Sequence, residues 1–254
     1  MKKICLLFLS SVVMLLDISL SFAIPPSTVW RMDTRGEQEI FSSGFQAWGN
    51  NVNVHAHVSG ESCVNRPGSQ RNSGFVSTAA DFQYIRTVAA ARAFARPGQH
   101  IFLYRIRADG NFYNAEASLR ALHGNNPQTP VSPLNYQPSV TANEYITPGA
   151  IPPRNIRDVE SYVVVDGQLQ VSTARANPAY MTGNTNAAAT PFVNGVAGQT
   201  GRSTWVGMIP IVGACLALPR SDLKLDELQV SSPMTLTLES IVSNRLNELN
   251  HDEL

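Results

Sequence analysis

Val29-Trp30-Arg31-Met32-Asp33 alternates apolar and polar residues, the period-2 pattern of a half-buried strand. Such a strand packs on one side and fixes its arginine on the other. A fixed guanidinium grips phosphates, because its forked donors match two oxygens at once. Taken singly, Arg31 also reads as a surface strand residue paired with an acid. The other chemistry-bearing side chains are scattered: His55 and His57, the hydroxyls of Ser77 and Thr78, Glu144 in the polar stretch Thr141-Ala142-Asn143-Glu144-Tyr145, and Cys63 and Cys215. Each has a plain reading too: a hydrogen-bonded histidine, ordinary strand hydroxyls, a solvated loop acid, and core packing for Trp48. The chain shows no metal-ligand cluster, no GxGxxG and no Ser-His-Asp order, so neither a metal nor a triad hydrolase is expected.

Several elements must position these residues. A short helix is expected over Glu37 to Ser43, with acids in its first turn and Gly44 just past its end. An irregular segment runs from Trp48 through His55 and His57 to Gly60, and Asn65 to Gly74 is a loop by composition. Phe75 to Thr78 reads as a strand entering the Ala-rich helix Asp81 to Arg96, which Pro97-Gly98 stops. Ile101 to Arg107 reads as a strand covered on both faces, and Asn111 to Leu122 as helical in part. Gly124 to Pro138 is a long loop, Pro148 to Pro153 a turn, and Asp166-Gly167 the tip of a hairpin joining Val159–Asp166 to Gln168–Ser172. Asn177 to Arg202, low in hydrophobicity, reads as a flexible surface loop, and Trp205 to Leu218 as two short buried strands. From Pro219 the character changes, and Met234, Leu238, Ile241, Val242, Leu246 and Leu249 make one apolar helical stripe after Ser232-Pro233.

Residues 1–23 read as a secretory signal: Lys2 and Lys3, an apolar run from Ile4 to Leu16, then Ser21-Phe22-Ala23. Asp17 and the shortness of the run argue against a retained anchor, so a mature chain starting at Ile24 is expected. About 231 residues then suffice for one domain, or a domain with a tail. Formal net charge is +0 and charged residues are 15% of the chain, which points away from nucleic acid and membrane surfaces. Cys5 leaves with the signal. Two cysteines in an exported chain imply a disulfide, with two free buried thiols as the alternative. Closing a loop of about 153 residues removes on the order of 5 kcal/mol of unfolded-state entropy. The chain ends His251-Asp252-Glu253-Leu254, a retrieval signal read by the endoplasmic reticulum receptor.

The pattern V-aromatic-R-x-D-[ST]-R at Val29 to Arg35, followed by GFQAWGNN at Gly44 to Asn51, resembles the catalytic A subunits of pertussis-like toxins, a family of bacterial mono-ADP-ribosyltransferases. The resemblance recurs in order at Ser62-Cys63, at Phe75 to Thr78, at Glu144-Tyr145 with Ile151 to Arg157, and at Ile211 to Cys215. It covers about 190 residues. It implies a mixed α/β fold with two small β-sheets facing each other across an NAD cleft, in a catalytic domain of residues 24–218, followed by a tail of 219–254 with a helix. It implies NAD as substrate and no metal. Glu144 matches the catalytic glutamate and Ser77 the hydroxyl that orients it; Thr78 matches a second hydroxyl, while Ala79 replaces a third. Arg31 and Asp33 match the NAD-anchoring motif, His57 an active-site histidine, and Trp48 a tryptophan near NAD. A Cys63–Cys215 bond is also implied.

The same resemblance implies a secreted toxin subunit acting on a host G-protein alpha subunit, with its tail threading a pentamer of glycan-binding B subunits. The retrieval signal adds the host endoplasmic reticulum, and then the cytosol, to its route. The rival reading is a non-catalytic exported interaction protein on the same scaffold. Arginine-modifying relatives carry a glutamate two residues before the catalytic one. Here that position is Ala142, so a non-arginine acceptor is expected, since a buried guanidinium without a partner costs roughly 1–3 kcal/mol.

Overall fold

The computed structural model describes residues 24–63, 70–123, 142–194 and Cys215. The expected signal, tail helix and HDEL signal lie outside these residues, as do the Gly124–Pro138 loop and the Trp205–Leu218 segment apart from Cys215. Cys215 itself is helical, not extended. Among the described residues, no helix is long and apolar enough to cross a membrane.

Strand β1, Thr28–Asp33, lies at the centre. Its alternation places Met32 and Trp30 against one core and Val29 against another. It pairs along its whole length with β4, Ile101–Arg107, which in turn pairs with β8, Ile156–Val165. On the other side it meets β3, Phe75–Ala79, only at Trp30 opposite Ala79. Strand β3 then pairs with β6, Glu144–Pro148, and β6 with β5, Tyr113–Asn114. The hairpin partner β9, Gln168–Val171, and the short β10, Arg175–Ala176, both flank β8. The two sheets expected from the sequence are therefore two halves of one antiparallel sheet, joined by a single residue pair. Beyond that pair the ladder does not continue. Instead the Arg31 side chain donates to the Ser77 carbonyl at 2.7 Å, occupying an acceptor that a neighbouring strand would otherwise take. Strands β2, Phe45–Gln46, and β7, Ala150–Ile151, form a separate two-stranded sheet.

Helix α1 spans Glu37–Ser43 and ends at Gly44, whose φ of 69° is available to glycine at little cost. A Cβ there would stand 2.2 Å from the Ile151 carbonyl oxygen, which excludes other residues on contact grounds as well. Helix α2, Val54–Val58, lies where only irregular chain was expected. Helix α3, Phe82–Ala95, is capped by Asp81, whose carboxylate accepts from Tyr84 N at 2.9 Å. It buries Ile85, Ala89, Ala90 and Ala93 against Met32, Leu103 and Tyr162 of the sheet. Helix α4, Ala115–His123, and α2 share a third core with Phe75, Ile146 and Phe192.

The expectation of a flexible surface loop from Asn177 needs correction over 177–194. The segment has no regular structure, but it is strapped to the domain. Asn177 Nδ2 donates to the Pro153 and Ile156 carbonyls, Ala187 N to Pro26 O and Ala188 N to Phe112 O, while Ala187 and Phe192 are buried. Isolated anchors of this kind leave no periodic signal.

Candidate functional site

Four elements deliver side chains to one buried locus. Alternation along β3 and β6 places Ser77 and Glu144 on the same face, because Ser77 pairs with Ile146 and Glu144 with Ala79. Ser77 and Glu144 are thus diagonal neighbours across the ladder. Helix α2 brings His57, fully buried, over this face; its N-cap is Asn53, whose side chain accepts from Ala56 N at 3.0 Å. The His57 Nε2 atom lies 2.7 Å from Ser77 Oγ and 3.4 Å from Glu144 Oε1. Its Nδ1 lies 2.6 Å from Ser73 Oγ. Glu144 is 2% exposed, so its carboxylate sits in a water-poor environment among these groups.

Arg31 borders the same locus from β1. One nitrogen, Nη1, donates to the Ser77 carbonyl at 2.7 Å and to the Cys215 carbonyl at 3.2 Å. Its Nε lies 3.8 Å from Asp33 Oδ2, and the guanidinium sits 5.2 Å from the centre of the Phe45 ring. Burial pushes its pKa down to about 10, with Asp33 acting in the opposite direction, so the group stays cationic at neutral pH. Asp33 is itself held by Arg35, through Nε at 3.0 Å and Nη2 at 2.7 Å. Arg35 belongs to the motif that raised attention to Arg31, yet its positioning role was not read from the sequence.

Cys63 and Cys215 form a disulfide with a Cα–Cα distance of 5.3 Å. Both sulfurs lie against His57, at 3.7 Å and 3.3 Å from Nδ1. The two sulfurs and the His57 ring thus gather at one buried point, with their ligand-type atoms within 4.8 Å of one another. The cysteines stand 6 and 158 residues from the histidine, a spacing that no linear pattern exposes.

The remaining candidates lie around this centre. Thr78 faces away from Ser77, and its hydroxyl donates to the Tyr145 carbonyl at 3.0 Å, bracing the β3–β6 ladder. Trp48 is half-buried with the Arg71 guanidinium 5.2 Å from its ring centre, and its neighbour Gly49 donates to the Ser73 carbonyl. His55 is half-buried, in contrast to His57. Ser73, which contacts His57 directly, lies in a stretch read only as loop. Ala142 is fully buried in the core beside α3, and its carbonyl accepts from Ala80 N and Asp81 N.

A family model described as pertussis toxin, subunit 1, matches residues 24–132. Pertussis toxin subunit 1 of Bordetella pertussis is 35% identical over 210 residues, covering 76% of this chain and 75% of that protein. The homolog of that subunit from Bordetella parapertussis matches to the same extent. A solved structure named EcPltA superposes with a TM-score of 0.57 at 24% identity, covering 67% of this chain and 96% of that one, and so shares the fold. With identity at this level over three quarters of both chains, the protein belongs to the pertussis toxin subunit 1 family of ADP-ribosyltransferase toxins.

Proposed function

We propose that this chain cleaves the nicotinamide–ribose bond of NAD and transfers the ADP-ribose to a host protein, a heterotrimeric G-protein alpha subunit. The observation that carries this reading is the convergence of Arg31, His57, Ser77 and Glu144 from four separate elements on one buried locus, in a chain of this family. The donor set fits NAD: a buried cation suits its diphosphate, and a buried carboxylate suits positive charge developing on ribose. Glu144 is the catalytic residue, stabilising that charge and binding the ribose hydroxyl. Ser77 and His57 position it, through the 2.7 Å and 3.4 Å contacts at His57 Nε2. Arg31 anchors phosphate, with Asp33 and Phe45 holding its plane. Thr78 supports the pocket through the strand, and Trp48 flanks it.

The disulfide acts as a latch in this reading. While it is intact, the Cys215 carbonyl occupies an Arg31 donor at 3.2 Å. Reduction in the host would release that donor. The acceptor is a residue other than arginine, since Ala142 is buried and offers no polar group to orient a guanidinium. The tail of 219–254 docks on a pentamer of glycan-binding B subunits, and HDEL engages the retrieval receptor of the host endoplasmic reticulum after secretion. The test is release of nicotinamide from NAD by the mature chain with and without reductant, followed by mass spectrometry of the modified alpha subunit. Turnover that depends on reductant, with ADP-ribose on a non-arginine residue, is expected. No nicotinamide release in either state would overturn the reading in favour of a non-catalytic interaction protein. Equal rates would overturn the latch alone.

A further inference from the structure

We propose that reduction of the Cys63–Cys215 bond creates a zinc site, in which the two thiolates and His57 Nδ1 hold one ion and keep the Cys215 carbonyl on Arg31. A tetrahedral zinc ion with Zn–N of about 2.05 Å and Zn–S of about 2.3 Å sets N···S separations near 3.5 Å and S···S near 3.8 Å. The sulfurs already stand 3.7 Å and 3.3 Å from His57 Nδ1. Once the covalent bond is gone, the main adjustment required is for the sulfurs to part. All three residues are buried, with their ligand atoms within 4.8 Å of one another, and two thiolates with one imidazole select zinc over hard cations.

The surroundings suit a ligating histidine. With Nδ1 on the metal, Nε2 carries the proton and donates to Ser77 Oγ at 2.7 Å, with Glu144 Oε1 3.4 Å away. A carboxylate or hydroxyl on the far ring nitrogen is the usual support for a zinc-bound imidazole. Ser73 must release Nδ1, but its hydroxyl retains the Phe75 backbone N–H at 3.2 Å. Water fills the fourth position. In the chemical steps, a host dithiol first passes two electrons and two protons to the bond, becoming a disulfide itself and leaving two thiols. Zinc then displaces both thiol protons to solution. The ion would bridge the same two residues that the covalent bond joins, so the Cys215 carbonyl would occupy the Arg31 donor in a reduced chain as well. That consequence rests on the transferase reading, whereas zinc binding itself does not.

The test uses the mature chain, reduced anaerobically with a phosphine and desalted, titrated with zinc chloride against a chromophoric chelator. One zinc per reduced chain and none per oxidised chain are expected. Cobalt chloride should give thiolate-to-metal charge transfer and the intense visible bands of a four-coordinate ion. Cys63→Ser, Cys215→Ser and His57→Gln should each weaken zinc binding by at least ~10-fold, as should Glu144→Gln through His57. No uptake at micromolar zinc, equal uptake by oxidised chain, or a cobalt spectrum without thiolate bands would overturn the site. The wild-type cobalt spectrum decides this even if a variant fails to fold. If zinc binds and leaves NAD turnover by reduced chain unchanged, the latch is overturned and the site stands. If no form of the chain turns over NAD, the transferase reading fails and zinc binding is judged on its own titration.

Discussion

Replacing Arg31 with lysine keeps the charge and removes the fork. In the oxidised chain, Nη1 donates to two carbonyls, Ser77 at 2.7 Å and Cys215 at 3.2 Å, while the guanidinium plane lies over Phe45 at 5.2 Å. An ammonium on the shorter lysine stem retains at most one of those carbonyls. Losing one charge-assisted bond costs about 1.5–3 kcal/mol, and losing the ring contact adds about 0.5–1 kcal/mol. Asp33 stays paired with Arg35 at 2.7 Å, so no stranded carboxylate enlarges the total. The sum is about 2–4 kcal/mol, which for a domain of this size lowers Tm by about 4–16 °C. Thermal unfolding of oxidised Arg31→Lys measures it directly. The same variant in reduced form should lose less, because the bond to Cys215 depends on the latch. NAD affinity should fall in both states. An unchanged Tm would show that the fork does not hold the seam between the sheet halves, and equal losses with and without the disulfide would refute the contribution of Cys215.

Glu144→Gln should fold normally and lose about 10²–10³-fold in nicotinamide release, since it removes the charge and keeps the shape; retention of more than about a tenth of the rate would remove Glu144 from the chemistry. Gly44→Ala should destabilise the domain by about 2 kcal/mol or more in urea unfolding, given the 69° φ and the Ile151 carbonyl 2.2 Å from the new Cβ. Polar substitutions at Leu238 and Val242 should weaken assembly with B subunits in a pull-down, and leave NAD turnover by the isolated chain intact. Deletion of His251 to Leu254 should preserve assembly and turnover but slow the intoxication of cultured cells.

Local order was legible where local chemistry sets it. The alternation around Arg31 marks β1, and the acids of Glu37 and Glu39 with Gly44 bound α1. Asp81 and Pro97 bracket α3, and Asp166-Gly167, with φ of 52° and 76°, turns the β8–β9 hairpin. In each case the signal is a backbone preference or a repeat within a few residues, which a linear reading can see. Helix α2 was not legible. Val-His-Ala-His-Val has weak helix propensity over five residues, and it holds because Asn53 caps it and Val54 and Val58 are buried against Phe75 and Leu119. That packing alone turns His57 inward and separates it from half-buried His55.

The site divides in the same way. Motif resemblance singled out Arg31, Ser77, Glu144 and the cysteine pair, because side chains held to one chemistry recur in a readable order. Ser73 on His57 Nδ1, the bond from Thr78 to the Tyr145 carbonyl and the burial of Ala142 are decided only by tertiary packing, where distant stretches of chain meet. The gathering of His57, Cys63 and Cys215 is the extreme case. Its members are brought within bonding range by chain crossings 158 residues apart, and a contact of that separation has no imprint on the composition or periodicity of either segment.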